Sequence, residues 1–195
     1  MKLSAELASG ADDDTLMDRV AARDADAFRL LAERHGTLPY RIAWRMTGDA
    51  AEAEDLAQET LLRLWDKAPQ WRVGGSGVAA WLTRVAMNLA LDRLRRRRFA
   101  SGEPVPERAD EAPLADEGIE AEQAAAAVRD CIAALPERQR AAIVLTYYED
   151  VPNRTAAEML EMNLKAFESL LFRARAALRD GLGAHAAGRQ WSDAP

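Results

Sequence analysis

Aromatic, amide and guanidinium side chains recur on one face of the segment from Ala80 to Arg98 when that segment is drawn as a helix. The face comprises Trp81, Arg84, Asn88, Asp92 and Arg95, and the neighbouring Arg96 adds to its positive charge. Such a surface suits single-stranded DNA, because bases stack on the indole ring, the amide reads base edges and the arginines hold phosphates. The chemistry indicated is therefore the capture of a nucleic acid strand.

A glycine-rich loop from Trp71 to Gly77 precedes this helix. The loop is placed to close over an extruded base, whose unstacking costs on the order of a few kcal/mol. Simpler interpretations stay open, because Trp81 adjoins an apolar stripe and is also typical of a core aromatic. The stripe consists of Leu82, Val85, Ala86 and Leu89. Likewise, the arginines from Arg95 to Arg98 are typical of a solvated helix end that the macrodipole favours.

An acidic strip is predicted on the preceding helix. Four apolar residues of this helix point inward, namely Ala57, Leu61, Leu64 and Trp65. The strip is what they leave outside, namely Asp55, Gln58, Glu59, Leu62 and Asp66. An acidic surface around one exposed leucine fits a basic partner, although the same pattern is typical of an ordinary exposed helix face.

The C-terminal part of the sequence predicts a helix-turn-helix. A helix from Pro136 to Tyr148 is followed by a short helix to Glu161, capped by Asn153, and by a longer helix to about Asp180, capped by Asn163. In this arrangement the second helix enters the major groove of duplex DNA. The candidate contacts are Asn163, Lys165, Ala166, Ser169, Arg173 and Arg175. A three-helix bundle without a ligand would show the same periodicity.

Composition limits the possible functions. The 195 residues are 49% hydrophobic and 30% charged, which suits a soluble helical protein. The net charge of -6 disfavours nucleic acid binding unless cations cluster, as they do from Arg93 to Arg98. The sequence contains no apolar run of about 20 residues and no secretory signal at its start, so we expect a cytoplasmic protein.

Metal and catalytic chemistry are not indicated. The single cysteine, Cys131, and the two distant histidines, His35 and His185, provide neither a disulfide framework nor a zinc site. Cys131 is expected to be a small core residue. Because no nucleophile, metal cluster or phosphate loop is apparent, we expect no enzyme activity, no cofactor and no small-molecule substrate.

Helical spacing without strand alternation predicts an all-α protein of two small domains. Residues 101–122 hold three prolines and eight acids and read as a flexible acidic linker. We therefore expect an N-terminal tail over 1–14, a first domain of four helices over 15–99 and the linker over 100–121. A second domain of four shorter helices is expected over 122–183, followed by a disordered tail over 184–195.

Four segments in this order resemble the extracytoplasmic-function (ECF) sigma factors of bacterial RNA polymerase, and the match spans about residues 15–183. The segments are DAAEAEDLAQETLLRLW (Asp49 to Trp65), AAWLTRVAMNLALDRLRRRR (Ala79 to Arg98), LPERQRAAIVLTYYED (Leu135 to Asp150) and NLKAFESLLFRARAALR (Asn163 to Arg179). Together, across an acidic linker, they are highly specific for this family.

The resemblance implies a role for each surface. The acidic strip would dock on the clamp coiled coil of the largest polymerase subunit, and residues 71–98 would capture and open the minus-ten promoter element. Asn88 and Asp92 would lie at base-reading positions. The second domain would read the minus-thirty-five element and rest on the polymerase flap, while the linker would run through the RNA exit channel. An anti-sigma factor is the expected inhibitor.

The sequence departs from the family pattern at several positions. Pro152 stands where a capping serine is usual, and Glu161 where glycine is frequent. Glu168 and Leu170 occupy recognition-helix positions that are commonly basic. Because Glu168 would repel phosphates, we expect fewer or different duplex contacts, with Lys165, Ser169 and Arg173 as the main ones.

Two other functions remain as alternatives. A stand-alone helix-turn-helix regulator would bind duplex DNA without polymerase, but it leaves the Trp81 and Asn88 face of the first domain unexplained. A sigma-like decoy would bind an anti-sigma factor without contacting DNA, yet it would be expected to have lost the basic helix.

Overall fold

A computed structural model describes residues 12–72, 74–101 and 119–192 of the chain. Across these ranges the regular structure is entirely helical, with nine α-helices, one 3-10 turn and one π turn. The all-α prediction is confirmed. Among the helices of the described ranges, none combines the length and the apolar character that crossing a bilayer requires.

Five α-helices precede the predicted linker. They are α1 (Asp13–Ala21), α2 (Ala25–His35), α3 (Thr37–Thr47), α4 (Ala50–Lys67) and α5 (Gly77–Ser101), with a 3-10 turn at Ala68–Gln70. The prediction of four helices is wrong because α2 and α3 are separate elements with only Gly36 between them. Gly36 keeps helical dihedral angles of φ -63° and ψ -26°, so the break is not visible in the spacing of apolar residues.

Four α-helices follow residue 118, which is the expected number, but the first begins inside the predicted linker and the last is not shorter than those before it. They are α6 (Ile119–Ala133), α7 (Glu137–Ile143), α8 (Asn153–Met159) and α9 (Leu164–Ser192), with a π turn at Val144–Tyr148 after α7. The helix α9 has 29 residues and continues well past Asp180, so the prediction of disorder is wrong for residues 184–192. Extending an existing helix needs no new nucleation, so α9 continues beyond Asp180 although Gly181 and Gly183 are poor helix formers.

The described residues form two compact units. The first contains residues 12–44 and 50–90, and the second contains residues 45–49, 91–101 and 119–192. Residues 102–118, which hold most of the predicted acidic linker, lie outside the described residues. The predicted domain borders stay predictions.

The core of the first unit joins its N-terminal helices to α4 and α5. Leu16, Met17 and Val20 of α1 are fully buried together with Ala27 and Leu31 of α2. Four further residues complete this cluster, namely Leu64, Ala68, Val78 and Leu82. Because three apolar residues of α1 are buried, that helix is held in place largely by apolar packing.

The start of α2 is capped by Asp24. Its carboxylate accepts hydrogen bonds from the backbone N–H groups of Asp26 (3.0 Å) and Ala27 (3.1 Å), and from Nε of Arg19 (2.9 Å). The bond from Ala27, followed by that from Arg19, lowers the pKa of Asp24 below its ordinary value of 3.8. Ionised Asp24 thus satisfies two amides that α2 itself cannot.

Replacing Asp24 by alanine is expected to lower the Tm of the protein by a few degrees at neutral pH, because two helix-terminal N–H groups lose their acceptor. A carboxylate with a depressed pKa stabilises the fold above its unfolded pKa and loses that effect as the pH falls through its folded pKa. The difference between wild type and Asp24→Ala should therefore begin to shrink below about pH 4 and be lost once the pH is below the folded pKa, which lies under 3.8. Thermal unfolding followed by circular dichroism measures the Tm difference at each pH, with Asp26→Ala as the control. A constant difference down to pH 2.5 would contradict the assignment.

A buried arginine joins α6 to α7 in the second unit. Arg140 is 5% exposed, and its guanidinium donates to the carbonyl oxygens of Ala133 and Leu135, the latter at 3.3 Å. Burial lowers its pKa below the ordinary value. Arg140 therefore satisfies carbonyl groups at the C-terminal end of α6, a role that helical spacing alone does not reveal.

Candidate nucleic-acid interface

The loop before α5 turns through glycine. Gly74 and Gly77 have φ values of +78° and +80°, a region that residues with a Cβ rarely adopt. After this turn α5 continues without interruption to Ser101. Its buried side differs slightly from the predicted apolar stripe, because Val85 is only half-buried while Met87 and Ala90 are fully buried.

The opposite side of α5 carries the polar residues that the sequence predicted to share one face. Arg84, Asn88, Arg95 and Arg96 are exposed, and Asp92 is half-buried. Positions 84, 88, 92 and 95 follow one another at spacings of three or four, so they form a continuous stripe along the helix. Within this stripe Arg95 donates to the Asp92 carboxylate at 2.8 Å. Part of the positive charge is therefore already paired.

Two tryptophans lie where the glycine loop meets α5. Trp71 and Trp81 are both half-buried, and their rings meet edge to face with centroids 6.3 Å apart and an interplanar angle of 74°. Trp81 thus packs against the core and still keeps an accessible surface. An open cleft of about 480 Å³ adjoins the pair, and it is lined by Lys67, Gln70, Trp71, Arg72, Gly75, Ser76 and Trp81. A cleft of this volume admits a planar ring, and cationic side chains lie at its wall.

The acidic strip lies on the exposed side of α4. Asp55, Gln58 and Asp66 are exposed, and Leu62 is 62% exposed. Glu59 accepts from Arg63 at 2.6 Å, so its charge is paired on the helix surface. The strip is therefore less acidic than the sequence suggested, and Leu62 is its largest apolar side chain.

On the inner side of α4 the four residues predicted to point inward behave differently from one another. Ala57 and Leu64 are buried, while Leu61 and Trp65 are half-buried and pack against the core. The ring of Trp65 meets Phe28 edge to face at 5.2 Å. This packing fixes the rotation of α4 and so determines which residues form the acidic strip.

The helix-turn-helix is formed by α8, a tight turn and α9. Asn153 is the first residue of α8 rather than its cap, because Pro152 occupies the capping position without a side-chain hydrogen bond. Asn163 does cap α9, since its Oδ1 accepts from the backbone N–H of Ala166 at 2.8 Å. Ala156 and Ala157 are buried, and their small side chains allow a close approach of the helices.

The recognition side of α9 brings together some of the predicted contacts. Lys165, Ala166, Ser169 and Arg173 are exposed, and three of them line a shallow cleft of about 410 Å³ with Glu168 and Phe172. Phe172 is 72% exposed and was missed, although its spacing of three and seven from Ser169 and Lys165 signals the same face.

Two residues of α9, Leu170 and Arg175, have surroundings that the sequence did not indicate. Leu170 is 8% exposed and belongs to the core, so it does not represent a lost phosphate contact. Arg175 is exposed, and its guanidinium lies over the ring of Tyr147 at 5.4 Å. Its contact with DNA stays a prediction.

Glu161 takes a strained conformation in the turn between α8 and α9, with φ at +53°. Replacing Glu161 by glycine is expected to stabilise the protein by about 1 kcal/mol, because glycine adopts this region without steric cost. Urea denaturation measures the change.

A matched control is available in α8, where Glu158 is also exposed but helical. Glu158→Gly should destabilise by about 1 kcal/mol, because glycine is a poor helix former. Effects of the same sign in the two variants would contradict the strain at Glu161.

Cys131 is 7% exposed, which confirms its predicted place in the core. Burial, and secondarily Asp130, raises the pKa of its thiol. Within the described part of the chain no three histidine, cysteine, aspartate or glutamate side chains come together where a metal ion could bind.

Comparison with known proteins connects both units to one family. A family model described as Sigma-70 region 2 matches residues 31–100, and one described as Sigma-70, region 4 matches residues 125–178. The ECF RNA polymerase sigma factor SigK of Mycobacterium sp. (strain KMS) is 31% identical over 88% of this chain and 91% of its own length. SigE of Mycolicibacterium smegmatis is 33% identical over 80% of this chain, and the alignment spans 61% of SigE.

Among solved structures, CnrH in complex with the cytosolic domain of CnrY is similar to this chain. The TM-score is 0.64 with 26% sequence identity, and the match covers 88% of this chain and 97% of CnrH. Nearly the whole length of that protein therefore has a counterpart here.

Proposed function

The chain belongs to the ECF RNA polymerase sigma factors, and from this premise we propose how its surfaces divide the work of promoter-directed transcription initiation. The observation that carries the proposal is the exposed stripe of α5. It places Arg84 and Asn88 beyond the Trp71 and Trp81 cleft, along one helix. An aromatic wall followed by an amide and arginines provides stacking, base reading and phosphate contacts for one strand of the minus-ten element.

Promoter opening is proposed to proceed by capture rather than by a reaction. A base that unstacks transiently enters the cleft beside Trp71 and Trp81, where a ring can stack or contact an indole edge. Asn88 then contacts base edges of the same strand. Asp92 does so as well when its ion pair with Arg95 is broken. Each captured base removes a partner from the duplex, so the melted state becomes more populated.

Polymerase binding is assigned to the acidic strip on α4. Leu62 provides an exposed apolar centre, and Asp55 and Asp66 provide negative charge around it. An apolar anchor within a charged rim is a frequent arrangement at protein interfaces. Its partner is proposed to be the clamp coiled coil of the largest polymerase subunit.

Duplex recognition is assigned to the cleft on α9, and the rest of the second unit is proposed to contact the polymerase flap. Lys165 and Arg173 can hold phosphates, Phe172 offers an apolar surface for a thymine methyl, and Glu168 can accept from the amino group of cytosine. The Oδ1 atom of Asn163 already accepts from the backbone N–H of Ala166, so Asn163 contributes less to DNA contacts. Few cations and one acid on this face make the minus-thirty-five contact weaker than a fully basic helix would provide.

The net charge of -6 has a consequence for assembly. The free factor is proposed to bind promoters poorly, because an acidic protein gains little from counterion release. Polymerase overcomes this by holding two DNA-binding surfaces on one complex, so that the first contact raises the effective concentration of the second. The factor is proposed to act in the cytoplasm together with polymerase, and without an enzymatic step of its own.

An anti-sigma factor is the proposed inhibitor. The similar structure of CnrH contains the cytosolic domain of CnrY bound to it. The exposed apolar residues of this chain, Leu62 on α4 and Phe172 on α9, would be covered by such a partner at the expense of polymerase and DNA.

In vitro transcription tests the proposal. Sigma-free core polymerase is incubated with fragmented genomic DNA, with and without the purified protein, and transcript starts are mapped. Discrete starts that appear only with the protein are the expected result. Binding to duplex fragments without polymerase would favour the stand-alone regulator, and the absence of starts together with binding to an anti-sigma factor would favour the decoy.

A further inference from the structure

One carboxylate joins the first helix to the glycine loop at the cleft. Asp14, in the first turn of α1, accepts from the indole Nε1–H of Trp71 through Oδ1 at 3.1 Å. Its other oxygen, Oδ2, accepts from the backbone N–H of Gly74 at 3.4 Å. These partners lie 57 and 60 positions further along the chain. A single side chain thus contacts both the ring at the cleft and the backbone of the loop.

We propose that Asp14 is a positioning residue for base capture, which rests on the proposed role of the Trp71 and Trp81 cleft. The loop depends on such a contact because its glycines contribute no side chain to a core. Gly74 stands at φ +78°, and an added Cβ there would meet nothing within 4 Å. A loop of this kind samples many conformations unless polar contacts restrict it.

The orientation of Trp71 is the main consequence. Because its indole N–H points to Asp14, the rotation of the ring is fixed, and the ring keeps its edge-to-face contact with Trp81 at 6.3 Å. The shorter of the two hydrogen bonds goes to Trp71 and the longer to Gly74, so the ring is held more firmly than the backbone. A preformed cleft then captures a base without first ordering the loop. Ordering a flexible loop during binding would otherwise lower the affinity.

The fold does not depend on Asp14. Its neighbours Leu16 and Met17 are fully buried and anchor α1 in the core, whereas Asp14 itself is only half-buried. Removing the carboxylate therefore changes the loop while the helix stays in place. Asp18 lies one turn further on α1 and is exposed, so Asp18→Ala is a matched control for the loss of one negative charge from this helix.

The experiment measures binding of polymerase holoenzyme to a single-stranded minus-ten oligonucleotide, taken from a promoter found by the transcription assay. Asp14→Ala is expected to weaken this binding roughly tenfold, as the loss of charge-assisted hydrogen bonds would do. Asp14→Asn should be weakened less, because its carbonyl oxygen can still accept from Trp71. Core polymerase should bind all variants equally, and Asp18→Ala should resemble wild type.

A double-mutant cycle separates positioning from general stability. Trp71→Phe keeps an aromatic ring but removes the N–H donor, so its effect and that of Asp14→Ala should not add. Additive losses, or an Asp14→Ala holoenzyme that binds the oligonucleotide as wild type does, would overturn the proposal. If Asp14→Ala fails to fold, Asp14→Asn takes its place in the cycle. Its effect on oligonucleotide binding is then measured in the wild-type and the Trp71→Phe background, and additive losses would again overturn the proposal. A wild-type holoenzyme that does not bind the oligonucleotide would instead refute the proposed function of the cleft.

Discussion

Replacing Asn88 by alanine is expected to reduce open-complex formation by about ten- to a hundredfold, with folding and polymerase binding unchanged. Asn88 is exposed on the polar stripe of α5, so its truncation leaves no cavity in the core. The loss is that of an amide that donates to and accepts from one base edge, a contact that discriminates by about 1–3 kcal/mol. Permanganate reactivity of melted thymines measures opening directly.

Two controls make this result specific. Asp26→Ala truncates an exposed polar residue on α2, away from the stripe, and should open promoters normally. A template with a pre-melted minus-ten region should recover part of the activity of Asn88→Ala, because the cost of unpairing is then already met. Normal opening by Asn88→Ala on duplex DNA would refute the assigned role.

Reversing the charge of Asp55 is expected to weaken binding to core polymerase by about tenfold or more at low salt, because like charges would then face each other at the interface. Glu59 is paired with Arg63, so the charge of the acidic strip depends more on Asp55 and Asp66. Added salt should reduce the difference between Asp55→Arg and wild type, since exposed charges are screened. Fluorescence anisotropy with labelled protein measures the affinity.

Leu62 allows an independent test of the same surface. Leu62→Ala should also weaken binding, but with little dependence on salt, because the loss is one of apolar contact. Asp18→Arg provides the matched charge reversal on an exposed position of α1 and should bind as wild type does. An unchanged affinity in both Asp55→Arg and Leu62→Ala would remove the docking assignment.

Local periodicity was sufficient to predict the helical class and the polar stripe of α5. Positions 84, 88, 92 and 95 share a face in any α-helix, whatever surrounds them. Local reasoning also placed Asn163 at the start of α9, because capping uses a partner only a few residues away. These features depend on neighbours in sequence.

Features that depend on distant residues could not be predicted in this way. The link from Asp14 to Trp71 spans 57 positions and has no local pattern. The contact of Arg175 with Tyr147 joins α9 to the π turn. Leu170 is buried because α9 is packed on the core along that side, whereas the family pattern indicated only that its position is commonly basic.

The pairing of Arg95 with Asp92 also affects how strongly this protein should respond to ionic conditions. An arginine that already has an intramolecular anion exchanges one negative partner for another when it meets a phosphate. The Asp92 carboxylate that Arg95 leaves then attracts a cation, so the net number of cations released is smaller than for an unpartnered arginine. The logarithmic dependence of promoter affinity on potassium concentration should therefore be shallower than a simple count of arginines on α5 suggests.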